Sequence, residues 1–378
     1  MKHFIILLFF FYKKESYYAI KYITNDEIVT TRMKAMYKGR KYLDQCLEEK
    51  LINNQRKFEI SNNPKITMII PVYNTGELIK KVLRSIQNQN MTDIEIILVN
   101  DYLKDNTTLN MIEKIKEEDP RIIIINNKKN MGILYSRCIS VLQAKGEYIM
   151  NLDHDDFIFD ADVFDTSYNS AKKGNFDIVS FMYVTSNNYY CKAREFEPSD
   201  HHIPNNYIVL QPELQNFALF RNEIFSYFDY TIWAKLFKNN IYKKAVKVLS
   251  YDKYSVYNAY GEDIIGLYAI SHVAFSYKHI RKLGVYHKDY LVSTSHTTQN
   301  EKRVFSDIFF AEVIFDLGNT YNKKYSAIYL DNRVPLSNEE NNKYLLRVLN
   351  KIMNYEYIDN KYKEILKNKY RELMIKYE

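Results

Sequence analysis

From Pro64 onward the chain alternates short apolar runs with helix-periodic segments, and few architectures accept that alternation. "KITMIIP" reads as a strand, and "GELIKKVLRSIQNQ" as a helix with Leu78, Ile79, Val82, Leu83 and Ile86 on one face. "DIEIILVND" and "TLNMIEKIKEE" repeat the pair, the helix ending at Asp119-Pro120. "RIIIIN" with "GILYSRCISVLQAK", then "EYIMNLD" with a helix-like stretch from Asp160 to Lys173, repeat it twice more, and "FDIVSFMYV" adds a fifth strand. The strands are too evenly apolar to face water on one side. The expectation is therefore an α/β fold whose single, largely parallel sheet is covered by helices on both faces.

The boundaries follow from breaks in this pattern. Asn62-Asn63-Pro64 is a loop signal, because the residue before a proline is pushed out of the helical region. Residues 1–16 form a short hydrophobic N-terminal segment, 17–63 a helical extension, and 64–184 the alternating half. From 185 to 300 the alternation dissolves into a smaller mixed region, and 301–378 reads as helices with lysine-rich faces. The run Phe4 to Tyr12, bracketed by lysines, falls short of the ~20 residues of a membrane helix. It reads as a short membrane anchor, an uncleaved signal or a buried arm, and membrane association through residues 4–12 is one expectation.

Composition narrows the function classes. The formal charge of +7 over 378 residues suits an anionic ligand or surface, but no lysine/arginine block forms the basic stripe of a nucleic-acid protein. Cys46, Cys138 and Cys191 are widely spaced, which gives neither a zinc pair nor a disulfide scaffold. Tyrosine at 35 against glycine at 9 reflects codon bias and carries no chemistry.

Ligands of open α/β sheets bind beyond the carboxyl ends of the strands. Three of these ends are polar: Pro71-Val72-Tyr73-Asn74, Asn100-Asp101, and Asp153-His154-Asp155-Asp156. Asp153 and Asp155, two apart in an extended strand end, point the same way, and Asp156 lies where the chain turns. Such crowded carboxylates repel, and a hard divalent cation, Mn²⁺ or Mg²⁺, would relieve the repulsion. A solvated acidic turn is the alternative for the triplet taken alone. No GxGxxG is present, and "GEDIIGLY" has Leu267 and Tyr268 where a P-loop needs Lys and Ser/Thr. Phosphates would therefore be held by metal and side chains.

In order along the chain, "ITMIIPVYN", "IEIILVND" followed by "DNT", "NKKNMGILYSRC" and "AKGEYIMNLDHDD" resemble the family 2 glycosyltransferases. The resemblance implies the GT-A (Rossmann-like) fold, a nucleotide-sugar donor, commonly UDP-linked, a bound Mn²⁺ or Mg²⁺, and transfer with inversion. By the same resemblance, Pro71 and Tyr73 would line the nucleotide pocket and Asp101 would bond the base. Arg137 would sit near the donor, with a surface helix charge as its alternative. Asp153 would approach the ribose and metal, and Asp155 and Asp156 would ligate the metal and diphosphate. Tyr102-Leu103 depart from the small residues usual after the Asp101 position.

Further on, "TIWAKLFKNNIYKK", "YGEDIIGLYAI" and "LGVYHKDYLVSTSH" are similar to acceptor-side elements of the family, with Val292 in place of a glycine. They imply Asp263 as the general base, with Glu262 beside it; acids at a helix start also stabilise the helix on their own. His287 and His296 are candidates for an extra metal or phosphate ligand, and Trp233 for stacking on a sugar or for core packing. A nucleotide-sugar-binding pseudoenzyme or partner subunit is the alternative function. A nucleotidyltransferase would need a glycine-rich loop that "PVYNTGE" lacks. Asn90-Met91-Thr92 and Asn106-Thr107-Thr108 are formal glycosylation sequons, and a glycan at Asn106 would obstruct the donor. The expected location is a cytoplasm-facing, membrane-associated one, with the ER or Golgi membrane as the alternative.

Overall fold

The computed structural model describes residues 56–102, 106–187, 208–210, 231–249, 251, 261–289 and 368. The apolar run 4–12, the N-terminal helical expectation up to residue 55, His296 and, apart from residue 368, the C-terminal helical expectation lie outside the described residues.

The strands are β1 Ile66–Val72, β2 Ile94–Asn100, β3 Ile122–Asn126, β4 Tyr148–Asn151, β5 Phe157–Ile158, β6 Ile178–Asn187, β7 Ile208–Leu210, β8 Lys235–Lys238 and β9 Ser276–Asp289. The helices among them are α1 Leu78–Gln87, α2 Asn106–Glu118, α3 Ile133–Gln143, α4 Val163–Gly174, α5 Asn239–Val248 and α6 Glu262–Val273. All the strands join one sheet, ordered β3-β2-β1-β4-β8-β6-β9-β5, with β7 paired to β9. Among the described residues no helix is long and apolar enough to cross a membrane.

The alternation seen in the sequence produces β1 to β4, which pair in parallel. The fifth predicted strand, β6, does not continue that run. β8, four residues long and some fifty positions later, enters between β4 and β6 and is antiparallel to both. The sheet is therefore parallel on one side and mixed on the other. A four-residue strand carries too little periodicity to announce itself, and strand order is set by packing rather than by chain order.

Strand side chains alternate between faces, so each parallel strand feeds two cores. Ile66, Met68, Ile70 and Val72 of β1 pack with α1, α2 and α4. Ile69, Ile97 and Val99 pack on the other face with α3, α5 and α6. On α1, Ile79, Val82, Leu83 and Ile86 are fully buried at the spacing of one helical face. The packing of α3 and α6 on the same face brings Arg137 toward Glu262 and Asp263.

Backbone strain gathers at one edge. Four non-glycine residues have positive φ: Asn74 at 47°, Tyr102 at 62°, Asn175 at 53° and Ala234 at 56°. Asn175 caps α4. The other three stand beyond β1, beyond β2 and just before β8, whose start lies beside the end of β4 through the Asn151–Trp233 bridge. Such strain persists only where surrounding structure enforces it, and it is common at sites.

Candidate active site

The last residue of β4 is Asn151, and Asp153 to Asp156 form the turn beyond it. Asp153 is not turned into a carboxylate cluster. It pairs with Arg137 Nη2 at 2.5 Å. The other arm of the guanidinium, Nη1, donates to Asp263 Oδ1 and lies 3.5 Å from Glu262 Oε1. The Arg137 side chain is only 2% exposed, which excludes the surface-charge alternative for this residue. Burial works against its charge, but Asp263, Asp153 and Glu262 outweigh it and hold the guanidinium above its ordinary range.

Glu262 and Asp263 open α6, behind Gly261 at φ 83°. Asp263 is held from two sides, since its Oδ2 accepts the backbone N–H of Ile232 at 3.2 Å. That N–H belongs to the turn before β8, which Lys235 steadies by donating to the Thr231 carbonyl at 2.5 Å. Burial, opposed by Arg137, raises the Asp263 carboxyl. Burial and the neighbouring Asp263 push Glu262 up to about 7. Both side chains keep a route to solvent, at 17% exposure for Glu262 and 21% for Asp263.

The antiparallel register Phe157↔Tyr286 sets Asp156 opposite His287. His287 Nδ1 lies 2.8 Å from Asp156 Oδ1. Burial disfavours the imidazolium, yet the Asp156 carboxylate outweighs it and raises His287 to about 9. Burial pushes the fully enclosed Asp156 up to about 7 in spite of His287. His287 also stacks on Trp233, with ring centres 4.8 Å apart and planes 17° apart, and Trp233 meets Tyr183 edge-on. Trp233 is 5% exposed and packs as core, so its sugar-stacking role does not fit.

Among the described residues no three His, Cys, Asp or Glu side chains converge as metal ligands. The set Asp153, Asp155 and Asp156 is thus not a preformed cage, because Arg137 takes Asp153 and His287 takes Asp156. His287 engages only Oδ1 of Asp156 among the contacts described, so Asp155 with Asp156 beside it fits a cation that uses few protein ligands. Asp155 is raised chiefly by burial, and each of Asp155 and Asp156 is raised further by its neighbouring carboxylates. A hard divalent ion would relieve that crowding with one or two carboxylates, completing its shell with water and phosphate oxygens.

Asp101, 5% exposed at the end of β2, binds the chain itself. Its Oδ1 accepts from Asn127 Nδ2 at 2.8 Å and from Met131 N at 2.7 Å, and its Oδ2 accepts from Gly132 N at 2.8 Å. The carboxylate anchors the loop that leads into α3, and so the helix that carries Arg137. Pro71 is buried in β1, with its carbonyl 3.2 Å from His154 Nδ1, and Tyr73 just beyond is 47% exposed. Sequence reading missed the Ile232 N–H, Asn127 and the His154 contact. Backbone donors and loop ties of this kind leave no residue signature.

The family model described as glycosyl transferase family 2 matches residues 67–244. The glycosyltransferase EpsJ of Bacillus subtilis is 27% identical over 182 residues, which are 48% of this chain and 50% of EpsJ. The poly(ribitol-phosphate) beta-N-acetylglucosaminyltransferase TarP of Staphylococcus aureus is 34% identical over 123 residues, 32% of this chain and 36% of TarP. The chain thus spans half or less of the length of these curated relatives. The crystal structure of S. aureus TarS 1–349 in complex with UDP-GlcNAc superposes with a TM-score of 0.52 at 16% identity, covering 77% of this chain and 73% of that one. This likeness establishes the GT-A architecture.

Proposed function

Because residues 67–244 belong to glycosyl transferase family 2, we propose that the protein moves a sugar from a nucleoside-diphosphate donor to an acceptor hydroxyl with inversion. The observation that carries this reading is one buried guanidinium. Arg137 joins Asp153, at the end of a parallel strand where α/β sheets take their ligands, to Asp263 at the start of α6. An acid that the resemblance assigns to the donor side and one that it assigns to the acceptor side thus meet on one guanidinium.

Asp263 is the general base. It takes the proton of the acceptor hydroxyl, whose oxygen forms the new bond to the anomeric carbon. The bond from that carbon to the diphosphate oxygen breaks, and its electron pair leaves with the diphosphate. Asp155 and Asp156 would hold Mn²⁺ or Mg²⁺, which supplies charge neutralisation for the leaving diphosphate. The rim from Pro71 to Tyr73 receives the nucleoside. No covalent enzyme intermediate is required. UDP is the first nucleotide to test, since TarS, which shares the fold, was crystallised with UDP-GlcNAc.

The test is release of UDP from UDP-GlcNAc, UDP-glucose and UDP-galactose by the purified full-length chain with Mn²⁺. Release from at least one donor above the enzyme-free rate is expected. A protein that binds UDP but releases it from no donor, with any acceptor glycan tried, would be the pseudoenzyme instead.

A further inference from the structure

Among the residues that the family resemblance places near the donor, Arg137 has contacts that fit a different task. It projects from α3, and its Nη1 serves Asp263 and Glu262 while Nη2 serves Asp153. Two of its three partners thus belong to α6. A planar guanidinium fixes the direction as well as the charge of what it binds, because its donors sit in a rigid fork. With Ile232 N–H on Oδ2 and Arg137 on Oδ1, the Asp263 carboxylate has one plane and one rotamer. At 2% exposure the guanidinium has little surface left to offer a diphosphate.

Resting on the glycosyltransferase reading, we propose that Arg137 is a positioning residue for the base: it orients Asp263 and ties it to the donor-side Asp153, and does not itself bind the donor. The Arg137 Nε atom is buried without a hydrogen-bond partner, beside a small cavity lined by Cys138, Tyr242, Glu262 and Gly266. The fork therefore spends its outer nitrogens on the acids and leaves its inner one uncommitted. Lysine at this position would keep the charge, but a single ammonium cannot span both acids in fixed directions.

The experiment compares wild type, Arg137→Lys, Asp263→Asn and the double variant. UDP affinity in Mn²⁺ is read by calorimetry, and turnover by UDP release from the donor on which wild type is most active. Arg137→Lys is expected to bind UDP within about threefold of wild type. It is expected to lose roughly 10- to 100-fold in turnover, the scale of a misplaced catalytic group. Added to Asp263→Asn it is expected to cost little more, because both act through one carboxylate. A loss of UDP affinity above tenfold, or a full multiplicative loss in the double variant, overturns the positioning role. Should Arg137→Lys melt far below wild type, Arg137→Gln is read in its place by the same criteria. Failure of the glycosyltransferase reading looks different: wild type binds UDP and releases it from no donor, which removes the positioning role along with it.

Discussion

Arg137 on α3 and Asp263 on α6 are 126 positions apart in sequence and share a hydrogen-bonded ion pair at one edge of the sheet. The pair exists because both helices pack on the same face, through Leu134, Cys138 and Val141 of α3 and Ile265, Leu267 and Ala269 of α6. A buried pair of this kind is weak evidence for stability, since desolvating two charges offsets much of their attraction. In the proposed positioning role the pair instead fixes the direction of the Asp263 carboxylate.

The metal assignment predicts a dependence of UDP binding on divalent cation. UDP affinity should fall at least tenfold when EDTA replaces Mn²⁺. Asp155→Asn should lose most of the Mn²⁺-dependent gain while keeping the wild-type melting temperature within a few degrees. Equal UDP affinity in chelator and in Mn²⁺ would remove Asp155 and Asp156 from any metal role.

Glu262 predicts a pH-dependent stability. Its folded-state carboxyl lies near 7 and its ordinary value is 4.5. Below the lower value both states hold the proton, and the group costs nothing. The cost grows as pH rises between the two values and is complete above about 7, where the folded state carries a poorly solvated charge. Glu262→Gln should therefore melt higher than wild type at pH 8, with the difference shrinking toward pH 5. A difference that is constant over that range would contradict the raised carboxyl.

Gly146 predicts a packing limit. A Cβ there would lie 2.4 Å from the Thr67 backbone nitrogen and 2.7 Å from the Ile66 carbonyl carbon. Neither is a flexible side-chain end, so β4 would have to shift from β1. Gly146→Ala should lose about 1–3 kcal/mol in a denaturant titration, as overpacked cores do. An unchanged midpoint would mean that the β1–β4 junction yields more easily than its geometry implies.

Much of this was legible in the sequence, for identifiable reasons. β1 to β4 and their helices declare themselves because fully buried strands are unbroken apolar runs and their helices repeat every third and fourth residue. Asp153, Asp263 and Arg137 could be named because their types and spacings are those of a known family. Their partners could not be named, since pairing Arg137 with Asp263 needs the packing of α3 beside α6. The same holds for Asp156 with His287, which follows from the register of β5 on β9. Asp101 shows the limit from the other side: the family resemblance implied a bond to the nucleotide base, and the structure shows both its oxygens tied to the 127–132 loop. β8 stayed hidden because four residues carry no period.

The most direct measurement of the central claim is the effect of Asp263→Asn on turnover and on UDP affinity together. Asparagine keeps the size of the side chain and can still accept the Ile232 N–H, but it cannot take a proton. General-base assistance contributes about 10²- to 10⁴-fold. The account predicts a loss of UDP release and sugar transfer by about that factor, with calorimetric UDP affinity close to wild type. Turnover within a few-fold of wild type would contradict it, and would place the base elsewhere, with Glu262 as the nearest candidate.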